Sequence, residues 1–103
     1  MDPYFSSRNI GLDLVRITEA AALAAGRWIG SGNFESAHAA ATDAMYTMLG
    51  SLEIDGRVAI GEDRLMDGVA LLCEGVQFGP SHSQCDLAVD PIDGTRLLVE
   101  GKP

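Results

Sequence analysis

Basic residues are scarce in this chain: seven Lys and Arg stand against fifteen Asp and Glu, which gives a net charge of −8. This acidic balance disfavours nucleic acid and anionic membranes as partners, because both attract proteins through positive charge. No apolar stretch reaches the length of about 20 residues that a membrane-spanning helix needs. A basic segment followed by an apolar one, the mark of a signal peptide, is also missing from the N-terminus. These absences predict a cytoplasmic protein that binds neither nucleic acid nor membrane.

Cysteine is also rare in this chain. Cys73 and Cys85 lie too far apart for a CxxC site, and no second pair completes a zinc knuckle. Two cysteines also make no disulfide framework. We therefore predict buried free thiols in a reducing compartment.

The first half of the chain has the composition of two helices. An alanine-rich, periodic stretch predicts a helix over Leu12–Ile29, and Gly30–Asn33 then interrupts it. A second helix is predicted over Ser36–Leu49, with Gly50 as its stop signal. The small alanines favour close packing of the two helices. Three larger apolar residues at helical spacing are predicted to lie in the core: Trp28, Met45 and Met48.

After Gly50 the pattern changes to short apolar runs separated by turns. Val58–Ile60 follows an Asp-Gly turn and predicts a strand. Val69–Leu72, continued by Val76–Phe78, predicts a second strand, and Leu87–Val89 a third. Arg96–Glu100 suits a helix or a strand. The order of two helices followed by strands predicts an α+β or layered fold.

The strongest chemical signal is the segment Asp90–Thr95, Asp-Pro-Ile-Asp-Gly-Thr, which follows the third predicted strand. The carboxyl ends of strands are where α/β proteins commonly bind ligands. A turn can bring Asp90 and Asp93 to one cation, and hard cations such as Mg²⁺ prefer oxygen ligands. Gly94 permits close approach of the backbone to a phosphate, and Thr95 adds a hydroxyl. An ordinary solvated Asp-Gly turn is the alternative interpretation.

Glu62 is the second signal, because it follows Val58–Ile60 and Gly61 at another strand end. Two strand ends of one sheet can place Glu62 beside Asp90 and Asp93. Carboxylates grouped around a pair of cations are typical of two-metal phosphatases. Taken alone, Gly61-Glu62-Asp63 is more typical of a loop.

The two motifs together resemble the lithium-sensitive, metal-dependent phosphatase superfamily, and most closely the class II fructose-1,6-bisphosphatases of bacteria. The similarity runs in register from about Leu14 onward. The matching stretches are Arg16–Ala24, Ala44-Met45, Ile54–Gly56, Ile60–Glu62 and Asp86–Thr95. The family domain is about three times as long as this chain. Residues 1–103 are therefore expected to be the N-terminal part of a single phosphatase domain, truncated at the C-terminus.

The resemblance implies a layered α/β/α sugar-phosphatase fold, dependence on Mn²⁺ or Mg²⁺, and hydrolysis of the 1-phosphate of fructose 1,6-bisphosphate, as in gluconeogenesis. Glu62, Asp90 and Asp93 match metal ligands of the family. Asp93, Gly94 and Thr95 match the segment that contacts the substrate phosphate. Asp93 and Thr95 are the implied catalytic residues, with Thr95 orienting the attacking water.

The chain departs from the family at three places near this site. His38 occupies the position of another metal-binding Asp of the family. Asn33-Phe34 replaces the usual Asp-Lys pair, and Arg64 replaces an acidic residue. His38 is either a nitrogen ligand suited to Mn²⁺ or Zn²⁺, or a helix-surface histidine. His82, in a loop of Ser and Pro, is expected to be solvated.

Two further functions remain alongside the sugar-phosphate phosphatase. One is a truncated or degenerate remnant that binds metal or a partner without turnover, which the departures favour. The other is a phosphatase of the same superfamily that acts on inositol phosphates or adenosine 3′,5′-bisphosphate, which the match outside the motif disfavours. The sequence leaves the oligomeric state open.

Overall fold

The computed structural model describes residues 10–52, 54–62, 71–79 and 85–103. Two helices come first, followed by a small sheet and a short helix. The elements are α1 (Ile10–Gly26), α2 (Phe34–Ser51), β1 (Gly56–Ile60), β2 (Gln77–Phe78), β3 (Cys85–Ala88) and α3 (Thr95–Val99). This order confirms the predicted α+β fold with two N-terminal helices followed by strands. The segment for which helix and strand were both predicted forms a helix, α3.

Helices α1 and α2 pack against each other through small side chains. Ala21 and Ala25 of α1 are almost fully buried, as is Ala41 of α2. Residues four apart lie on one face of a helix, so these alanines form a narrow contact face that lets the two backbones approach closely. The predicted close packing of the two helices is confirmed. The core cluster contains Ile17, Ala21, Ala25, Ala41, Met45, Leu49, Ile54, Val58, Leu72, Phe78 and Leu87.

The helix ends differ from the predicted ones. Helix α1 ends at Gly26 rather than Ile29, because the backbone turns there: the Trp28 N–H donates to the Ala25 carbonyl at 2.9 Å. Helix α2 begins at Phe34, two residues before Ser36. It also runs through Gly50 to Ser51, so Gly50 is not the stop.

Asn33 is the N-cap of α2. Its side-chain Oδ1 accepts a hydrogen bond from the Ser36 N–H at 3.0 Å, which satisfies one of the unpaired donors of the first turn. Asn33→Ala is expected to lower the free energy of unfolding by about 1 kcal/mol. Urea denaturation followed by circular dichroism would measure it. Asn33→Asp keeps the acceptor and should be close to neutral; equal losses in both variants would contradict the capping role.

The sheet has the strand order β2-β1-β3. β1 pairs with β2 antiparallel and with β3 parallel, with Val58 opposite Leu87. Residues 69 and 70 of the second predicted strand lie outside the described residues. Leu71 and Leu72 form a turn, so the strand prediction is wrong for them, although Leu72 is fully buried. Its carbonyl accepts a hydrogen bond from the backbone of Glu62 beside β1, and its side chain joins the core cluster.

Three core predictions have different outcomes. Met45 lies in the core and Met48 packs against it, as predicted. Trp28 is half-buried and lies outside this cluster, because α1 has ended before it. Neither Cys73 nor Cys85 forms a disulfide, as predicted, but both are half-buried rather than buried. The Cys85 Sγ points at the Asp55 carbonyl at 3.6 Å.

Within the described ranges, no helix combines the length and apolar character needed to cross a membrane.

Candidate metal and phosphate site

The parallel pair β1 and β3 brings two strand ends to the same edge of the sheet. Ile60 pairs with Ala88, and the Val89 N–H donates to the Ile60 carbonyl at 3.0 Å, which continues the pairing beyond the strands. Glu62 follows Ile60 by two positions, and Asp90 follows Ala88 by two. The backbone register therefore carries both carboxylate-bearing residues to neighbouring positions at one edge.

Gly61 is required where β1 ends. A Cβ atom at this position would overlap the carbonyl oxygen of Leu72 and lie 2.6 Å from Cγ1 of Val58. The same Leu72 carbonyl accepts a hydrogen bond from the Glu62 N–H at 2.7 Å. The turn at Leu71-Leu72 thus lies directly against the end of β1. It holds the backbone of Glu62 in place.

The Asp90–Thr95 segment connects β3 to α3. Asp90 and Asp93 are exposed, whereas Pro91 is buried between them and anchors the turn. Gly94 has a φ of +81°, a left-handed conformation that side-chain-bearing residues rarely adopt, so this position requires glycine for its own backbone. Thr95 begins α3 and is buried, and its hydroxyl donates to the Ile92 carbonyl at 3.3 Å. The segment is a well-packed turn that presents two carboxylates to solvent.

His38 of α2 contacts the predicted site. Its Nε2 lies 2.7 Å from Oε1 of Glu62, and the two side chains are only 12% and 20% exposed. The imidazole also stacks on the ring of Phe34, with centroids 6.2 Å apart and planes 4° from parallel. The side chain of His38 is therefore largely shielded from solvent and lies against Glu62.

A groove of about 360 Å³ opens beside Glu62. Besides the end of β1, its lining includes Cys73 and Glu74. No sequence pattern groups these two residues with Glu62, because ten residues separate Glu62 from Cys73 along the chain. The contact between Leu72 and the end of β1 is what brings them together.

The predicted metal ligands meet some of the requirements of a cation site. Their oxygen donors suit Mg²⁺ or Mn²⁺, and the strand register brings Glu62 and Asp90 to one edge. Across the four described ranges, however, no three His, Cys, Asp or Glu side chains lie close enough together to hold a metal ion. Glu62 is engaged with His38 instead. Arg64 and His82 lie outside the described residues.

Comparison with known proteins points to one family. A sequence profile of the bacterial, glpX-encoded fructose-1,6-bisphosphatases matches residues 8–103. The chain is 40% identical over 96 residues to fructose-1,6-bisphosphatase 1 class 2 of Escherichia coli K12, and equally to fructose-1,6-bisphosphatase class 2 of Shigella flexneri. Each alignment covers 92% of this chain and 28% of the relative, so the chain spans little more than a quarter of their length. The resemblance drawn from the Gly-Glu and Asp-Pro motifs is confirmed: the chain belongs to the glpX-encoded family of bacterial fructose-1,6-bisphosphatases.

Proposed function

We propose that this chain supplies the metal- and phosphate-binding segment of an enzyme that hydrolyses the 1-phosphate of fructose 1,6-bisphosphate with Mn²⁺ or Mg²⁺. The observation that carries the proposal is the meeting of the β1 and β3 carboxyl ends, which bear Glu62 and Asp90, just before the turn with Asp93. The names of the relatives support the substrate. Such hydrolysis runs in the direction of gluconeogenesis.

In this proposal Glu62, Asp90 and Asp93 are metal ligands, and Asp93, Gly94 and Thr95 contact the substrate phosphate. A bound divalent cation would supply a more acidic water and offset the charge of the transferring phosphoryl group. Asp93 and Thr95 would hold that water and the phosphate in line. The buried position of Thr95 and its bond to the Ile92 carbonyl fix where its hydroxyl lies.

Charge makes the cation necessary in this arrangement. The substrate is an anion, the chain carries a net charge of −8, and the exposed side chains of Asp90 and Asp93 would repel a phosphate. A divalent cation held by these carboxylates would offset this repulsion. Phosphate binding should therefore depend on prior metal binding.

A metal-binding protein without turnover is the second candidate. The contact between His38 and Glu62 favours it, because a carboxylate engaged by an imidazole is less available to a cation. The two candidates differ in catalysis and agree on metal binding.

Phosphate release from fructose 1,6-bisphosphate with Mn²⁺ separates the candidates. We expect weak turnover or none from the 103-residue chain, with Mn²⁺-dependent binding of inorganic phosphate measured by calorimetry. Robust turnover that is lost on Asp93→Ala would establish the enzyme and exclude the second candidate. A chain that binds neither Mn²⁺ nor phosphate would contradict both.

We also propose a cytoplasmic location, since both cysteines are free thiols, the state that reducing compartments maintain. The partner is a small sugar phosphate, with no role for nucleic acid or membrane. An oligomer is compatible with the proposal.

A further inference from the structure

Helix α1 exposes most of its large apolar side chains. Leu12 is 56% exposed, Val15 50% and Leu23 75%. The buried residues of the helix form a single stripe where it packs on α2: Asp13, Ile17, Ala21 and Ala25. Apolar side chains grouped on the surface of a small protein mark a face that another molecule covers. The rest of the α1 surface is therefore a candidate interface.

Four exposed residues of α1 share one side of the helix, which we call the α1 outer face: Leu12, Arg16, Glu19 and Leu23. At about 100° of rotation per residue, their spacing keeps them within about 60° of one another around the helix axis. They lie on roughly the opposite side from the stripe that packs on α2. The two leucines are about 16 Å apart along the axis, and the two charged residues lie between them.

The α1 outer face is complementary to itself. Its apolar, basic, acidic and apolar residues have a spacing that is the same in both directions along the helix. When a second copy of α1 lies antiparallel, Leu12 meets Leu23 of that copy and Arg16 meets its Glu19, and a twofold axis repeats both contacts. A parallel pair would place Arg16 against Arg16 and Glu19 against Glu19, where like charges repel. The charges therefore favour a second copy in the antiparallel orientation.

We propose that the α1 outer face is a dimer interface, at which two copies of α1 pack antiparallel around a twofold axis. The leucine pairs supply the affinity, because their apolar surface leaves water. The exposed ion pairs contribute little affinity and fix orientation and register. Within its own helix Arg16 has only a long contact with Asp13, at 3.8 Å, with which a facing carboxylate can compete. One helix face buries less than the roughly 1,200 Å² of a stable interface, so monomer and dimer should exchange.

Sedimentation equilibrium of the full chain without metal measures the association. The dimer fraction should rise between roughly 10 μM and 1 mM protein. Leu23→Glu should lower the association constant by at least about 100-fold, because the twofold axis places the new charge at both ends of the interface. Ile29→Glu is the matched control, since it makes the same kind of change at a residue that is 63% exposed and lies beyond α1. A monomer at every concentration would leave the face to a different partner and overturn the proposal, as would equal losses in the two variants.

Two charge variants test the antiparallel orientation. Arg16→Glu leaves only acidic charges on the α1 outer face, and Glu19→Arg leaves only basic ones, so each variant alone should dimerise about tenfold more weakly than the unchanged chain. Their equimolar mixture should form a heterodimer of about the original affinity, which native mass spectrometry identifies by its mass. A parallel dimer already opposes like charges, so the single changes would not weaken it. Undiminished association of either variant alone, or a mixture that associates no more tightly than its components, would overturn the proposal, and neither result depends on the proposed metal site.

Discussion

The double variant Asp90→Asn, Asp93→Asn is expected to lose Mn²⁺ affinity by at least about 100-fold. Loss of a single outer-shell partner costs about 10- to 100-fold in metal affinity, and this variant removes two residues proposed as direct ligands. Asn keeps the size of the side chain and one oxygen but removes the charge that attracts a hard cation. Both positions are exposed, so the fold should tolerate the change. Isothermal titration with Mn²⁺ measures the affinity.

A control of equal charge is available on the helices. Glu19→Gln with Asp43→Asn also removes two negative charges, and both residues are exposed on α1 and α2. Long-range attraction of Mn²⁺ by the acidic chain would weaken equally in the control and in the double variant. If Asp90 and Asp93 form a local site, the control should bind Mn²⁺ with the affinity of the unchanged chain. Undiminished affinity in the Asp90, Asp93 variant would remove these residues from the metal site.

The backbone frame of the site could be predicted from sequence because strand ends have a clear signature. Short apolar runs followed by Gly-Glu and by Asp-Pro identified β1 and β3, and a parallel pair must bring its carboxyl ends to one edge. The wrong strand prediction for Leu71 and Leu72 rests on the same signal, a short apolar run. A buried apolar residue looks alike in a strand and in a turn that packs beside one, and two residues are too few for periodicity to distinguish the two.

Side-chain partners were beyond the reach of the sequence pattern. The contact between His38 and Glu62 depends on how α2 lies against the sheet edge, which no local signal encodes. The structure also shows how three of the departures from the family relate to one another. Phe34 and His38, both different from the residues usual in the family, stack on each other, and Asn33 caps the helix that carries them. These three residues form one local arrangement at the start of α2, and His38 lies against Glu62.

Gly61→Ala is expected to lower the stability of the chain substantially. The added methyl group would meet the Leu72 carbonyl and Val58, and both belong to rigid surroundings: Leu72 and Val58 are fully buried. Overpacking of this kind costs about 1–3 kcal/mol. We expect the upper part of this range, because backbone rather than the end of a flexible side chain blocks the new atom. Urea unfolding would measure the loss.

Gly50→Ala is the matched control for Gly61→Ala. Gly50 lies within α2, and a Cβ there would meet no atom within 4 Å. Since Ala favours a helix over Gly by about 1 kcal/mol, this change should leave stability unchanged or raise it. Gly61→Ala should in addition weaken Mn²⁺ binding under conditions where the chain stays folded, because displacing Leu72 breaks the hydrogen bond that holds the backbone of Glu62. If Gly61→Ala were as stable as Gly50→Ala and bound Mn²⁺ normally, the close contact between the end of β1 and the Leu71-Leu72 turn would not exist, and Glu62 would be positioned by other means.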